Sequence, residues 1–248
     1  MNTASAKNDT RIAWHESGDP TTWATQAAQS IASPLAAALA NGALHVRLLV
    51  SGGTTPKPVF DQLAQTDLDW SRIVIGLVDD RDVSADEDGS NQRMVRERLL
   101  RGRAAAARFQ FLRGTSLALQ DAVDRANARW SEQADLPVVV AVLGMGDDGH
   151  TASLFPDAAN LDDVFADPRA YSFVDATGCP AAGDFSYRIS LTPAGLAVAT
   201  RRVLLIRGTE KLAVLNRALA DGSIAEMPIR LVLPPGMPPL HVHWCFDV

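Results

Sequence analysis

Val46-Arg47-Leu48-Leu49-Val50-Ser51-Gly52-Gly53-Thr54-Thr55-Pro56 holds one complete unit of the fold. A short run of β-branched and leucine side chains ends at a Ser-Gly-Gly turn. Thr55-Pro56 then reads as a helix N-cap followed by proline at the first helical position, where no amide hydrogen is missed. The same alternation recurs outward from this stretch. Residues 73–78, 109–112, 138–143, 188–191, 203–206 and 241–246 read as further strands. Helical patterns fit residues 22–40, 56–64, 91–100, 116–133, 193–199 and 210–220, and Pro34 is expected to interrupt and kink the first near Ser33. Several strands are apolar on both faces, which predicts an α/β fold: a mostly parallel sheet with helices on both faces, Rossmann-like in its layering. No linker, repeat or long biased tract divides the chain, so residues 1–248 read as a single domain.

The composition narrows the function. With 47% hydrophobic residues among 248 the chain can bury a large core, and a net charge of −6 gives no general attraction to nucleic acid or anionic membrane. Any anionic ligand must be held by a local cluster. The longest apolar run, Val138 to Leu143, is far shorter than the ~20 residues that span a bilayer, and MNTASAKNDTRIAW has no apolar signal region, so a cytoplasmic protein is expected. Cys179 and Cys245, the only two cysteines, are far apart and read as buried thiols.

In sheets of this kind ligands bind beyond the carboxyl ends of the strands. Four such junctions stand out. Ser51, Gly52, Gly53 and Thr54 form a loop whose backbone can approach a phosphate, although glycine also serves a bare tight turn. Asp79-Asp80-Arg81 ends an apolar strand, where carboxylates need partners and Arg81 can hold a phosphate with two hydrogen bonds or form an ion pair at the rim. Gly144-Met145-Gly146-Asp147-Asp148-Gly149-His150 matches the spacing GxGxxG, but Pro156 follows too soon for the helix a dinucleotide site requires. Its more informative member is His150, beside Asp148, because histidine is the side chain suited to general-base work near neutrality. Finally, Lys211 sits in the first turn of a predicted helix, where the macrodipole opposes a cation, and so asks for an anion. Lys57 has the same placement but reads as solvent-exposed. His241-x-His243 places two rings on one strand face without a supporting ligand, so no metal site is expected.

Taken in order, these segments resemble the 6-phosphogluconolactonase family. The resemblance runs from about residue 44 to 216 and rests on Ser51-Gly52-Gly53-Thr54-Thr55-Pro56, Asp79-Asp80-Arg81 with Ser90-Asn91, the segment GMGDDGHTASLFP, Arg188 before Ser190-Leu191-Thr192, and Gly208 to Lys211. It implies kinship with the glucosamine-6-phosphate deaminase and ribose-5-phosphate isomerase group. It also implies cofactor-free, metal-independent hydrolysis of 6-phospho-D-glucono-1,5-lactone in the oxidative pentose phosphate pathway, with a small-molecule sugar phosphate as the partner. On that reading His150, Asp79 and Asp148 are catalytic, with either aspartate able to orient the histidine. Ser51, Gly52, Gly53, Thr54, Arg81, Gly146, Arg188 and Lys211 bind substrate or its phosphate.

Two residues depart from the family pattern. Asp80 stands where the family usually has glutamate, which is expected to alter a hydrogen bond at the site, and Val139 stands where an acidic residue is common. Glucosamine-6-phosphate deaminases share much of the series, but their Asp-Gly-His motif continues toward Asn-Glu-Pro. Here Ser153-Leu154-Phe155-Pro156 follows, and the missing glutamate argues for the lactonase. A non-catalytic sugar-phosphate sensor would have no need of a base at His150.

Overall fold

A computed structural model describes residues 4–113 and 118–246. Its strands are β1 (Ile12–Ser17), β2 (Val46–Val50), β3 (Ile73–Leu77), β4 (Asp79–Arg81), β5 (Arg108–Gln110), β6 (Val138–Leu143), β7 (Tyr171–Asp175), β8 (Tyr187–Leu191), β9 (Arg201–Arg207) and β10 (Leu240–Cys245). The helices are α1 (Ala4–Asn8), α2 (Pro20–Ala40), α3 (Lys57–Leu63), α4 (Asn91–Arg98), α5 (Leu119–Glu132), α6 (Leu161–Ala166), α7 (Pro193–Ala197) and α8 (Gly208–Leu219). The beginning of the helix expected from residue 116 lies outside the described residues.

Seven strands form one parallel sheet in the order β1-β10-β9-β6-β2-β3-β5. β2, β3 and β6 are buried along their whole length, which accounts for their unbroken apolar sequences. Helices cover both faces. From one face Ser17 donates a hydrogen bond to Gln26 of α2, and from the other the Trp244 indole donates to Gly208 at the start of α8.

Starting at β2, the chain steps outward through β3 to β5, then returns to lay β6 on the opposite side of β2. The boundary between β2 and β6 is therefore the switch point at which the crossovers diverge and a crevice opens above the strand ends.

The sequence reading needs correction at several elements. Arg188–Leu191 is not part of the parallel sheet: β8 pairs antiparallel with β4 and β7 in a separate three-stranded sheet. β3 stops at Leu77, and Asp79–Arg81 leaves it to join that second sheet. β1 and β7, whose sequences mix polar with apolar residues, carry no unbroken apolar run and escaped the pattern. Pro34 does not interrupt α2; the apolar stripe Ala27, Ile31, Leu35 and Leu39 is buried and holds the helix across the lost hydrogen bond. α3 begins at Lys57 with Pro56 at the cap position and no side-chain cap, so Thr55 does not serve there. By contrast Ser90 and Thr192 cap α4 and α7, accepting from Arg93 and Gly195. Lys57 is half-buried rather than exposed.

His241 and His243 meet a third ring, His15 of β1. His15 stacks on His243 with centroids 4.4 Å apart, and its Nε2 lies 3.1 Å from Nδ1 of His241. No metal-holding group of three or more His, Cys, Asp or Glu side chains occurs among the described residues. Burial, with Arg201 and His15 adding repulsion, pushes His241 down to about 4; burial, with the two neighbouring histidines and Arg201, pushes His243 down to about 3. Below the ordinary histidine value the unfolded chain takes up protons that the folded one refuses. Stability is therefore full above about pH 6.5 and lost as the pH falls toward the folded values. Between pH 7 and pH 5, His243 alone should remove about 2 kcal/mol from the unfolding free energy. Urea unfolding of His243→Leu should show a shallower loss over that interval than the parent, and equal slopes would refute the assignment.

Candidate active site

One cavity of about 1140 Å³ lies over the carboxyl ends of β2, β6 and β9. Ser51, Gly52, Gly53 and Thr54 border it after β2, Gly146 and His150 after β6, and Lys211 in the first turn of α8 after β9. Asp79 and Arg81 of β4 and Arg188 of β8 complete it from the second sheet. Residues distant in sequence thus converge because parallel strands end along one edge. Of the residues assigned to catalysis or binding from the sequence, only Asp148 lies behind the cavity lining, against His150.

The His150–Asp148 pair is the centre of the arrangement. His150 Nδ1 lies 2.6 Å from Asp148 Oδ1, and the same oxygen accepts the His150 amide at 3.0 Å. Burial alone would raise the Asp148 carboxyl, but hydrogen bonds and charge from His150 outweigh it and hold it below the usual range. With Nδ1–H committed to the carboxylate, Nε2 is the ring nitrogen left to accept a proton. Asp148, not Asp79, therefore orients the histidine. The close approach also explains Gly146: a Cβ there would fall 2.1 Å from His150 Nδ1 and 2.5 Å from Asp148 Oδ1. The Phe155 ring packs against His150 with centroids 4.4 Å apart, fixing the imidazole from another side.

The sequence Asp79-Asp80-Arg81 divides by strand alternation, since successive side chains of β4 point to opposite faces. Asp79 and Arg81 reach the cavity. Asp80 turns away, is 1% exposed, and accepts the amides of Arg81, Asn91 and Gln92 at 2.9, 2.8 and 3.2 Å, anchoring the start of α4. Burial raises it to about 6 despite those bonds. Asp80 itself does not line the cavity, but two of the amides it accepts belong to Arg81 and Asn91, which do. Asn91, which its helix start presents, donates to the Asp79 carbonyl at 2.9 Å. It also crowds Gly52 so closely that a Cβ there would sit 1.8 Å from its side-chain oxygen. Gly52 is therefore demanded by packing as well as by any ligand.

The cations are held differently from one another. Arg81 donates to the Gly89 carbonyl and lies over the Phe185 ring at 5.6 Å. Arg188 is 3% exposed, donates to the carbonyls of Phe185 and Ala182 at 2.7 and 2.8 Å, and is lowered to about 10 by burial. Lys211 donates to the Met145 carbonyl at 2.8 Å and pairs with Asp147 at 2.7 Å. The anion its helix position demanded is thus already supplied in part by the glycine loop. Phe155, Phe185, Arg207 and Phe246 also line the cavity and were given no role from the sequence, although Arg207 heads the strand-end junction that runs to Lys211. Phe155 stood inside a motif already quoted, whereas Phe185 and Phe246 occupy a loop and a strand end with no chemical signature.

The geometry fixes a tautomer: neutral His150 carries its proton on Nδ1. Nitrogen-15 spectra of the histidine side chains should show this, and Asp148→Ala should release the ring toward the Nε2–H form. An unchanged tautomer in that variant would show that Asp148 does not orient the ring.

Comparison with known proteins gives a consistent picture. The family model for Glucosamine-6-phosphate isomerases/6-phosphogluconolactonase matches residues 18–244. The chain is 41% identical over 238 residues to a 6-phosphogluconolactonase of Xylella fastidiosa, covering 96% of this chain and 98% of that protein. Among solved structures, a 6-phosphogluconolactonase from Shewanella baltica superposes with a TM-score of 0.86 at 33% identity, over 94% of this chain and 97% of the other. A monomeric glucosamine-6-phosphate deaminase shares the fold, with a TM-score of 0.74 at 16% identity over 95% and 98% of the two chains.

Proposed function

Since the chain belongs to the glucosamine-6-phosphate isomerase/6-phosphogluconolactonase family, we propose that it hydrolyses 6-phospho-D-glucono-1,5-lactone to 6-phospho-D-gluconate. The observation that carries this reading is the His150–Asp148 pair, set at a strand-end cavity that Arg81, Arg188 and Lys211 also border.

In the proposed reaction Nε2 of His150 takes a proton from water as the water oxygen bonds to the lactone carbonyl carbon. It returns that proton to the ring oxygen as the carbon–oxygen bond of the ring breaks. Asp148 keeps the imidazole in register and stabilises its charged form between the two transfers. The backbone amides of the glycine loops are the donors nearest in kind to an oxyanion hole. No acyl-enzyme, cofactor or metal enters this scheme. Asp79 holds hydroxyls of the sugar.

The 6-phosphate is assigned to Arg81, Lys211 and the Ser51–Gly52–Gly53–Thr54 loop, with Arg188 adjoining. Two further features favour an anion there. No side chain caps the first turn of α8, whose opening residues Gly208 to Lys211 border the cavity, so its amides and its dipole are available. Arg81 and Arg188 face each other across the β4–β8 pair, an arrangement of like charges that an anion relieves. The finer reading also includes a cytoplasmic location and a small-molecule substrate without nucleic-acid or membrane partners. Buried cysteines at 179 and 245 fit a reducing compartment, and no helix of the described residues is long and apolar enough to cross a membrane.

The decisive assay follows loss of freshly made 6-phosphogluconolactone with and without protein, correcting for spontaneous hydrolysis. His150→Ala should lower kcat by ~10²–10⁴ with a modest change in KM, and near-parental turnover would remove His150 from the chemistry. Release of ammonia from glucosamine 6-phosphate should be absent, and deaminase turnover rivalling lactonase turnover would reverse the assignment.

Phosphate recognition is tested separately. Arg81→Ala and Lys211→Ala each delete a charge-assisted hydrogen bond, worth roughly 1.5–3 kcal/mol, so kcat/KM for the phosphorylated lactone should fall on the order of 10–100-fold. Against unphosphorylated gluconolactone the losses should be small. Because Lys211 also braces the glycine loop, equal losses on the two lactones would assign it to the reacting centre or the fold, not to phosphate.

A further inference from the structure

Three polar side chains from separate parts of the chain close a ring beneath the cavity. Ser153 Oγ donates to Asp79 Oδ2 at 2.6 Å, and the Ser153 amide donates to Ser190 Oγ at 3.1 Å. Ser190 is in turn the residue directly opposite Asp79 in the β4–β8 pair. Ser153 and Ser190 are fully buried and Asp79 is 6% exposed, so each of these bonds is made where water does not compete for it.

The backbone is bent to deliver Ser153 to this position. Ala152, between Thr151 and Ser153, has φ of +53°, the only non-glycine residue in the left-handed region among the described residues. Such conformations persist where surrounding bonds over-determine them, and they cluster at functional sites. Here Thr151 Oγ1 donates to the Gly144 carbonyl at 2.9 Å, while Thr151 and Leu154 form an isolated antiparallel bridge. The strained residue thus lies two positions beyond His150 and one before the hydroxyl that grips Asp79.

We propose that Ser153 is a positioning residue for lactone hydrolysis: its hydroxyl locks the rotation of the Asp79 carboxylate, so that the oxygen not bound to Ser153 is held for a sugar hydroxyl. The inference rests on the reading of Asp79 as a substrate-binding group. It also ties the group that holds the sugar to the segment carrying the base, because His150 and Ser153 belong to one braced turn. A serine buried only for packing would gain nothing from its hydroxyl, which could be exchanged for hydrogen at little cost to turnover. A hydroxyl on a carboxylate that meets substrate is different, because its removal lets the carboxylate turn away.

A double-mutant cycle on kcat/KM decides the matter, with thermal melting recorded for every protein. Ser153→Ala should lose ~10-fold, the loss expected for a hydrogen bond to a charged group, and should lose it equally on phosphorylated and unphosphorylated lactone because Asp79 serves the sugar end. Asp79→Ala should lose at least as much. In the Asp79→Ala background, Ser153→Ala should cost nothing further, since nothing remains for the hydroxyl to orient. An undiminished second loss would show that Ser153 acts through the fold and would overturn the proposal. Parental activity in Asp79→Ala would instead overturn the reading of Asp79 on which it rests. Should Ser153→Ala fail to fold, Ser153→Cys retains the volume with a weak donor. That variant should show a loss of several-fold, and parental turnover from it would count against the proposal.

Discussion

Where Val50 lies beside Val142 in the pairing of β2 with β6, two crossovers diverge, and the loops following the two strands are forced into one crevice. Ser51 to Thr54 and Gly144 to His150 are neighbours for that reason alone. Gly144 is so near the first loop that a Cβ on it would touch the Ser51 hydroxyl at 3.9 Å. His150 and the Ser51–Thr54 loop are therefore placed by strand pairing before any side chain of the site makes a contact. The apolar runs that drive the pairing are fully buried, so the precision of the site derives from the best-packed part of the core.

The second sheet supplies what the parallel one cannot. A parallel sheet presents its loops along one edge, but β4 crosses above that edge and brings side chains on two faces. Its outward pair, Asp79 and Arg81, enters the cavity, while Asp80 is buried and charged against its solvation preference. The cost of Asp80 is offset by the three amides it accepts, two of them at the start of α4. That helix in turn presents Asn91 to Asp79 and Gly52. A carboxylate that takes no direct part in the site thereby fixes two groups that do.

Much of this was legible in the sequence, and the reasons are specific. The β2, β3 and β6 runs were read correctly because burial on both faces leaves no polar interruption. The strand-end residues Ser51, His150 and Lys211 were found because the chemistry of a loop glycine, a loop histidine and a cation at a helix start is unusual enough to be seen locally. What escaped was non-local. β4 and β8 are short and of mixed polarity, and their antiparallel pairing joins residues more than a hundred positions apart. The choice between Asp79 and Asp148 as partner of His150 needed a distance, since both are strand-end aspartates. The role of Ser153 needed the left-handed Ala152, which no residue preference at alanine announces.

Two arginines are buried here against neutral partners. Arg47 lies over the Trp130 ring at 4.3 Å and donates to Gln133, while Arg202 donates to the Pro238 carbonyl and to the Met237 sulfur. Amide, carbonyl, sulfur and ring partners take some of each guanidinium's hydrogens but leave Nε of both without an acceptor and the charge only partly balanced, and burial lowers both groups. Arg188 is likewise lowered by burial, but it borders the cavity and has Asp79 and Asp80 as electrostatic neighbours. Its donors to Ala182 and Phe185 fix the guanidinium before a ligand arrives, so little side-chain freedom is lost on binding. On the proposed function, this buried cation of β8 is a preorganised attraction for the substrate's anion. The net charge of −6 has no part in it: the field that matters is made by a few cations held in place by the backbone.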